Sequence, residues 1–119
     1  KGYTFMHSQE EQEEVYIVLT GKGVIQLEDE AVEMSAGDFV RVSPPVRRAI
    51  KADSESSMAG IIVGGVPKSG YPRYKGSSSL IDDGIPDWDN LPPWCEGNEK
   101  IVEINKKLKT QRESIKAAE

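Results

Sequence analysis

Histidine and cysteine are almost missing from this chain, with one of each in 119 residues. A lone cysteine, Cys95, cannot close an internal disulfide, so the fold needs no oxidising compartment and a cytoplasmic location is expected. No basic residue lies within four positions of Cys95, which points to an unremarkable thiol. Any histidine-based triad would have to rest on His7 alone. The nucleophile motif G-x-S-x-G and the phosphate loop G-x-x-x-x-G-K-[ST] are also missing. Basic charge is not in excess: the net charge of −5 speaks against nucleic acid as a partner. The longest mostly apolar run, Met58 to Val66, holds three glycines and is far too short to span a bilayer. No charged-then-apolar leader is visible, so no signal peptide is expected. The first residue is Lys1 rather than methionine, so further N-terminal sequence is expected.

What is present reads as one small globular domain. Apolar residues make up 37% and charged residues 29%, a balance that suits a single modest core. The first two-thirds are punctuated strands. Glu13 to Thr20 is rich in β-branched and aromatic residues. Both of its parities are largely apolar, so both faces are expected to be covered. Gly21-Lys22-Gly23 reads as a hairpin turn, with 23–28 as the partner strand. Shorter strands are predicted at 31–34, 39–42, 47–52 and 58–66. Between them fall the Ser35–Asp38 turn, the Ser43-Pro44-Pro45 stop and a polar turn at 53–57. Such spacing, with no helix-period interruption, predicts an all-β sandwich or barrel.

After Pro67 the composition shifts to Gly, Pro, Ser and Asp. This stretch reads as a long irregular arm wrapping the barrel, because Trp88, Leu91 and Trp94 need a surface to cover. Asn98 is a candidate N-cap for a helix to about Ala117. Its stripe Ile101, Ile104, Leu108, Ile115 is narrow, so the helix is expected to dock on the barrel or a partner. Glu103 and Lys107 form a favourable i,i+4 pair. The divisions are 1–67 for the barrel core, 68–97 for the arm and 98–119 for the helix, all one domain.

The stretch His7 to Gly37 resembles the cupin superfamily, whose first motif is G-x5-H-x-H-x(3,4)-E-x6-G. Glu14 is followed by six residues and Gly21, and His7-Ser8-Gln9 precedes Glu14 by four residues, with Gln9 in the second histidine position. Gly2 precedes His7 by four residues rather than five. In the second motif, G-x5-P-x-G-x2-H-x3-N, Gly37 is followed by Asp-Phe-Val-Arg-Val and Ser43-Pro44-Pro45. The histidine position falls on Arg48 and the asparagine on Ala52. The resemblance covers about residues 2–66 and implies a double-stranded β-helix (jelly-roll) barrel, here with a long irregular arm and a C-terminal α-helix.

In metal-bearing cupins, two histidines and a glutamate of the first motif and a histidine of the second hold Fe, Mn, Ni or Zn. Only His7 and Glu14 match. Gln9 is a weak oxygen donor, and the guanidinium of Arg48 cannot ligate. No cofactor is therefore expected. The alternative is a divalent transition metal on His7 and Glu14, serving an isomerase or oxygenase. Arg48 could instead neutralise Glu14 as a metal would, or hold the carboxylate or phosphate of a small ligand by two hydrogen bonds. Alternation leaves open whether Arg48 or Arg47 faces inward. The expected ligand-binding set is Arg48, Glu14, His7, Gln9 and Tyr16, with Tyr16 placed by its parity with Glu14. The leading expectation is a small-molecule binder for a compact, possibly anionic ligand. A non-catalytic homodimeric module is the third reading, because the two-sided strand at 13–20 suits burial against a second copy.

Overall fold

The computed structural model describes residues 2–70 and 83–117. The strands are β1 (Met6–Gln9), β2 (Glu14–Leu27), β3 (Glu30–Ser35), β4 (Phe39–Val42), β5 (Arg48–Ala52), β6 (Met58–Gly64) and β7 (Gly84–Asp87). A single 3-10 turn, Pro93–Cys95, precedes the helix α1 (Glu99–Ala117). One sheet runs β3–β2–β5–β1–β7, while β4 and β6 flank the first half of β2 in a second sheet. All pairings are antiparallel.

The Gly21-Lys22-Gly23 segment is not a hairpin turn. β2 continues through it for fourteen residues and changes sheets there. Its first half pairs with β4 and β6, and its second half with β3 and β5. A register shift lies between Val18 and Thr20, and Gly21 takes φ +75°. A Cβ at Gly21 would collide with the Ser57 carbonyl oxygen, so glycine is required on both counts. The Ser35–Asp38 turn closes against this bend, with Gly37 N–H donating to Val18 O at 2.8 Å.

Alternation then sets the interior. Before the bend the even residues Glu14, Tyr16 and Val18 point inward; after it Ile25 does. Tyr16, Val18, Ile25, Met34 and Val42 form the core, and Leu27, Val32, Val40, Val46, Ile50 and Met58 pack on it. The opposite face of the early β2 strand is not covered as expected. Val15 and Ile17 are half-buried and Leu19 is exposed.

The arm is pinned to the N-terminus. Its strand β7 pairs with all of β1. The Trp88 ring lies 4.3 Å from that of Phe5, and Trp94 Nε1–H donates to Tyr3 O at 2.8 Å. Asp83 Oδ2 accepts the backbone N–H groups of Glu11 and Gln12 at 2.7 and 2.8 Å. Part of the arm, 71–82, lies outside the described residues.

The helix docks on a different face from its apolar stripe. Asn98 caps it, accepting Ile101 N–H on Oδ1 at 3.2 Å, and Glu103 pairs with Lys107 at 3.1 Å. Yet Ile104, Leu108 and Ile115 are exposed, and the buried contact is Asn105. Its Nδ2 donates to Thr4 O and Trp88 O, and its Oδ1 accepts from Thr4 Oγ1. Two backbone carbonyls can be matched by one amide, which no apolar residue offers. Asn105→Ala is expected to cost about 2 kcal/mol in urea unfolding. The exposed control Lys109→Ala, which removes the pair with Asp89, is expected to cost about 0.5 kcal/mol or less. Equal costs would show that Asn105 does not hold the helix. Among the described residues, no helix is long and apolar enough to cross a membrane.

Candidate functional site

The lumen between the two sheets holds a buried charged pair, Arg48 and Glu14. Arg48 begins β5 and is fully buried; Arg47 before it is exposed and pairs with Glu28 and Asp87. Alternation sends one of the two inward, and the inner one is Arg48. Three of its N–H groups are engaged by the turn that precedes it. Nη1 donates to Pro44 O at 3.1 Å and Val46 O at 2.8 Å, and Nη2 donates to Ser43 O at 3.4 Å. The prolines at 44 and 45 bring no N–H of their own, so the turn presents carbonyls. Pro44 O also accepts Gln9 N–H at 2.8 Å, which ties β1 to the same turn. Five planar donors make arginine the side chain able to serve so many acceptors at once.

Glu14 faces the remaining edge of the guanidinium. Its Oε1 lies 3.7 Å from Arg48 Nε, an ion pair too long for a hydrogen bond. The same oxygen accepts Gln9 Nε2–H at 3.0 Å and Tyr16 O–H at 3.1 Å. Arg48 Nε and Gln9 Oε1 are buried without a hydrogen-bond partner. Burial pushes the Tyr16 phenol far above the ordinary tyrosine range; the charge of Glu14 adds to this, and that of Arg48 opposes it.

Four of the five residues expected at the site, Gln9, Glu14, Tyr16 and Arg48, thus meet around one carboxylate oxygen. His7 stands across from Arg48 in the β1–β5 register, so it shares that face of the sheet. It is half-buried, and its ring lies 5.6 Å from that of Tyr3. Cys95 is remote from the lumen chemistry: it is buried, with Sγ 3.6 Å from Tyr3 O, and burial raises its thiol pKa.

The donor set does not suit a transition ion. Among the described residues, no three His, Cys, Asp or Glu side chains come together as a metal-binding group. Glu14 Oε1 already receives two hydrogen bonds and faces a permanent cation. A site of two good ligands beside a guanidinium is poor for Fe, Mn, Ni or Zn.

Of the cluster, Tyr16 also lines an apolar cavity of about 100 Å³, together with Val18, Met34, Ile50, Met58 and Ile62 among others. Sequence reasoning found Tyr16 but missed the rest of this wall. It also missed the three carbonyls of the Ser43–Val46 turn. Parity could have supplied Val18. Met34 and Ile50 were hidden, because their inward direction depends on the sheet change at Gly21.

The cupin-domain family matches residues 2–64, just over half of the chain. A crystal structure of a cupin protein from Bacteroides fragilis is similar to this chain, with 33% identity and a TM-score of 0.51, over 68% of each chain. No curated protein matches the sequence.

Proposed function

The chain belongs to the cupin family, and we propose that it is a small-molecule-binding member that needs no metal. The observation that carries this reading is the buried Gln9–Glu14–Tyr16–Arg48 cluster beside an apolar cavity. A ligand would lay its apolar body against Met34, Met58 and Ile62. Its polar end would face the cluster, where Arg48 Nε–H is a buried donor and Gln9 Oε1 a buried acceptor without partners. A small anion would take the free edge of the guanidinium in competition with Glu14. A hydroxyl could serve both orphans at once. Absence of disulfides supports reading it as a cytoplasmic protein.

The test is a thermal-shift screen of short carboxylates, sugar phosphates and neutral hydroxylated compounds. A ligand at a hundred times its Kd is expected to add about 2.7 kcal/mol, a shift of several degrees. Ile62→Trp, which fills the cavity, is expected to abolish the shift while the variant stays folded. A hit that ignores Ile62→Trp, or no hit in any class, would end the reading. Stoichiometric metal in unchelated protein, by elemental analysis, would replace it with a metal-dependent enzyme.

A second reading, compatible with the first, is a homodimer. The outer face of the β4–β2–β6 sheet carries Leu19, Phe39, Ile61 and Val63, all exposed, Phe39 by 69%. Ile17 lies between Phe39 and Ile61 in the register, so the apolar residues are contiguous. Among the described residues β6 pairs only with β2, which leaves an open edge. At the rim, Arg41 and Glu13 pair at 2.9 Å; opposite charges side by side can be matched reciprocally by a two-fold-related copy. Light scattering is expected to show a dimer. Phe39→Glu is expected to weaken it by about thirtyfold, the effect of one central hot spot. A wild-type monomer at the highest attainable concentration contradicts this.

A further inference from the structure

The guanidinium of Arg48 sits in a cage of oxygens. Ser43 O, Pro44 O and Val46 O lie at 3.4, 3.1 and 2.8 Å from its terminal nitrogens. Glu14 Oε1 lies 3.7 Å from Nε on the other side. Three carbonyls and a carboxylate set around one guanidinium are an arrangement that calls for a cation. Without one, Glu14 would be a buried charge with only neutral partners, and Val46 O would lose the donor that Nη1 supplies.

We propose that Arg48 is the resident cation of this lumen: a covalently tethered charge that occupies the cage, balances Glu14, and so keeps a metal ion out. The inference rests on reading the site as metal-independent, and goes further by naming the group that makes it so. Arg48 is then a positioning residue. Its charge holds the Glu14 carboxylate, and that carboxylate in turn orients Gln9 and Tyr16. Its fork holds the β4–β5 turn, to which Gln9 N–H is also tied. The Nη1 and Nη2 bonds account for the fork, and the ion pair for the charge, so a lysine would satisfy only the charge and a methionine neither requirement.

Chemical rescue tests this without any ligand of the protein. Arg48→Ala removes the atoms of ethylguanidinium and leaves the cage. The variant is expected to melt more than about 10 °C below wild type. Ethylguanidinium near 10 mM is expected to restore about 5 °C of this, as weak binding to the folded state alone requires. Ethylurea, planar and neutral, is expected to restore none, and neither compound should raise the melting point of wild type or of Arg47→Ala. Rescue by ethylurea equal to that by ethylguanidinium would overturn the claim that charge is what the cage needs. No rescue by either would overturn the cage itself.

If Arg48→Ala does not fold, refolding it in ethylguanidinium against ethylurea gives the same two outcomes. A cycle of Glu14→Gln, Arg48→Met and the double variant is the second measurement. The double variant is expected to be more stable than the sum of the singles allows, and strict additivity would overturn the pairing. Because no compound screen is involved, failure here leaves small-molecule binding standing, and a failed screen leaves the resident cation standing.

Discussion

Arg48→Met is expected to destabilise the protein by about 3–5 kcal/mol, the cost of leaving one half of a buried ion pair without the other. Methionine fills much of the volume, so the loss is not chiefly a packing effect. It comes from two sources. Glu14, nearly inaccessible to solvent, keeps its hydrogen bonds from Gln9 and Tyr16 but loses its counter-charge. The Ser43–Val46 turn loses three donors. Ser43 O and Pro44 O each retain one backbone donor, from Val46 and Gln9, so the largest share of the turn penalty falls on Val46 O. Urea unfolding at neutral pH measures the change, read from the midpoint at constant slope. Arg47→Met is the matched control. Arg47 is half-exposed beside Glu28 and Asp87, and its loss is expected to cost about 1 kcal/mol or less. Equal costs for the two arginines would mean that the lumen charge carries no weight.

The second large effect is on the alkaline side. Burial, aided by the charge of Glu14, raises the folded-state pKa of Tyr16 well above its unfolded value. A raised acid binds its proton more tightly when folded, so its contribution to stability is complete below the ordinary tyrosine value of about 10. Above that pH the unfolded chain releases the proton and the folded one does not. Stability then falls by about 1.4 kcal/mol for each further pH unit. Tyr16→Phe removes this slope. At neutral pH the variant is expected to be about 1 kcal/mol less stable, for the lost hydrogen bond to Glu14. The two stability curves should therefore converge above about pH 10 and cross near pH 11. Denaturant midpoints at a series of pH values give both curves. A constant gap between them up to the highest pH would show that Tyr16 ionises as freely in the fold as outside it.

Much of the barrel was legible because the signals are local. The six-residue spacing from Glu14 to Gly21, the Ser35–Asp38 turn, the proline stop at 44 and 45 and the Asn98 cap each depend on a few adjacent residues. The parity of the early β2 strand put Glu14 and Tyr16 on one face, and they are both inside. Three features turn on distant information. Gly21 with positive φ serves a hairpin or a bent, continuing strand equally well; its partners, β3 to β6, lie up to some forty residues downstream and decide the matter. The helix stripe of Ile104, Leu108 and Ile115 suggested a docking face, but the N-terminal and arm carbonyls of Thr4 and Trp88 select Asn105 instead. The outer face of the second sheet reads as covered, and within one chain it is not.

By itself, then, the sequence determined the strands between 30 and 64, the turns at 35–38 and 43–45, the family and the identity of the side chains available to the lumen, since period, propensity and motif spacing are properties of neighbouring residues. Only the tertiary structure decided that Arg48 rather than Arg47 turns inward. A charge can be buried only where acceptors meet it, and those acceptors come from a turn a few residues before and from a carboxylate on another strand. Their meeting exists only after the sheets have closed.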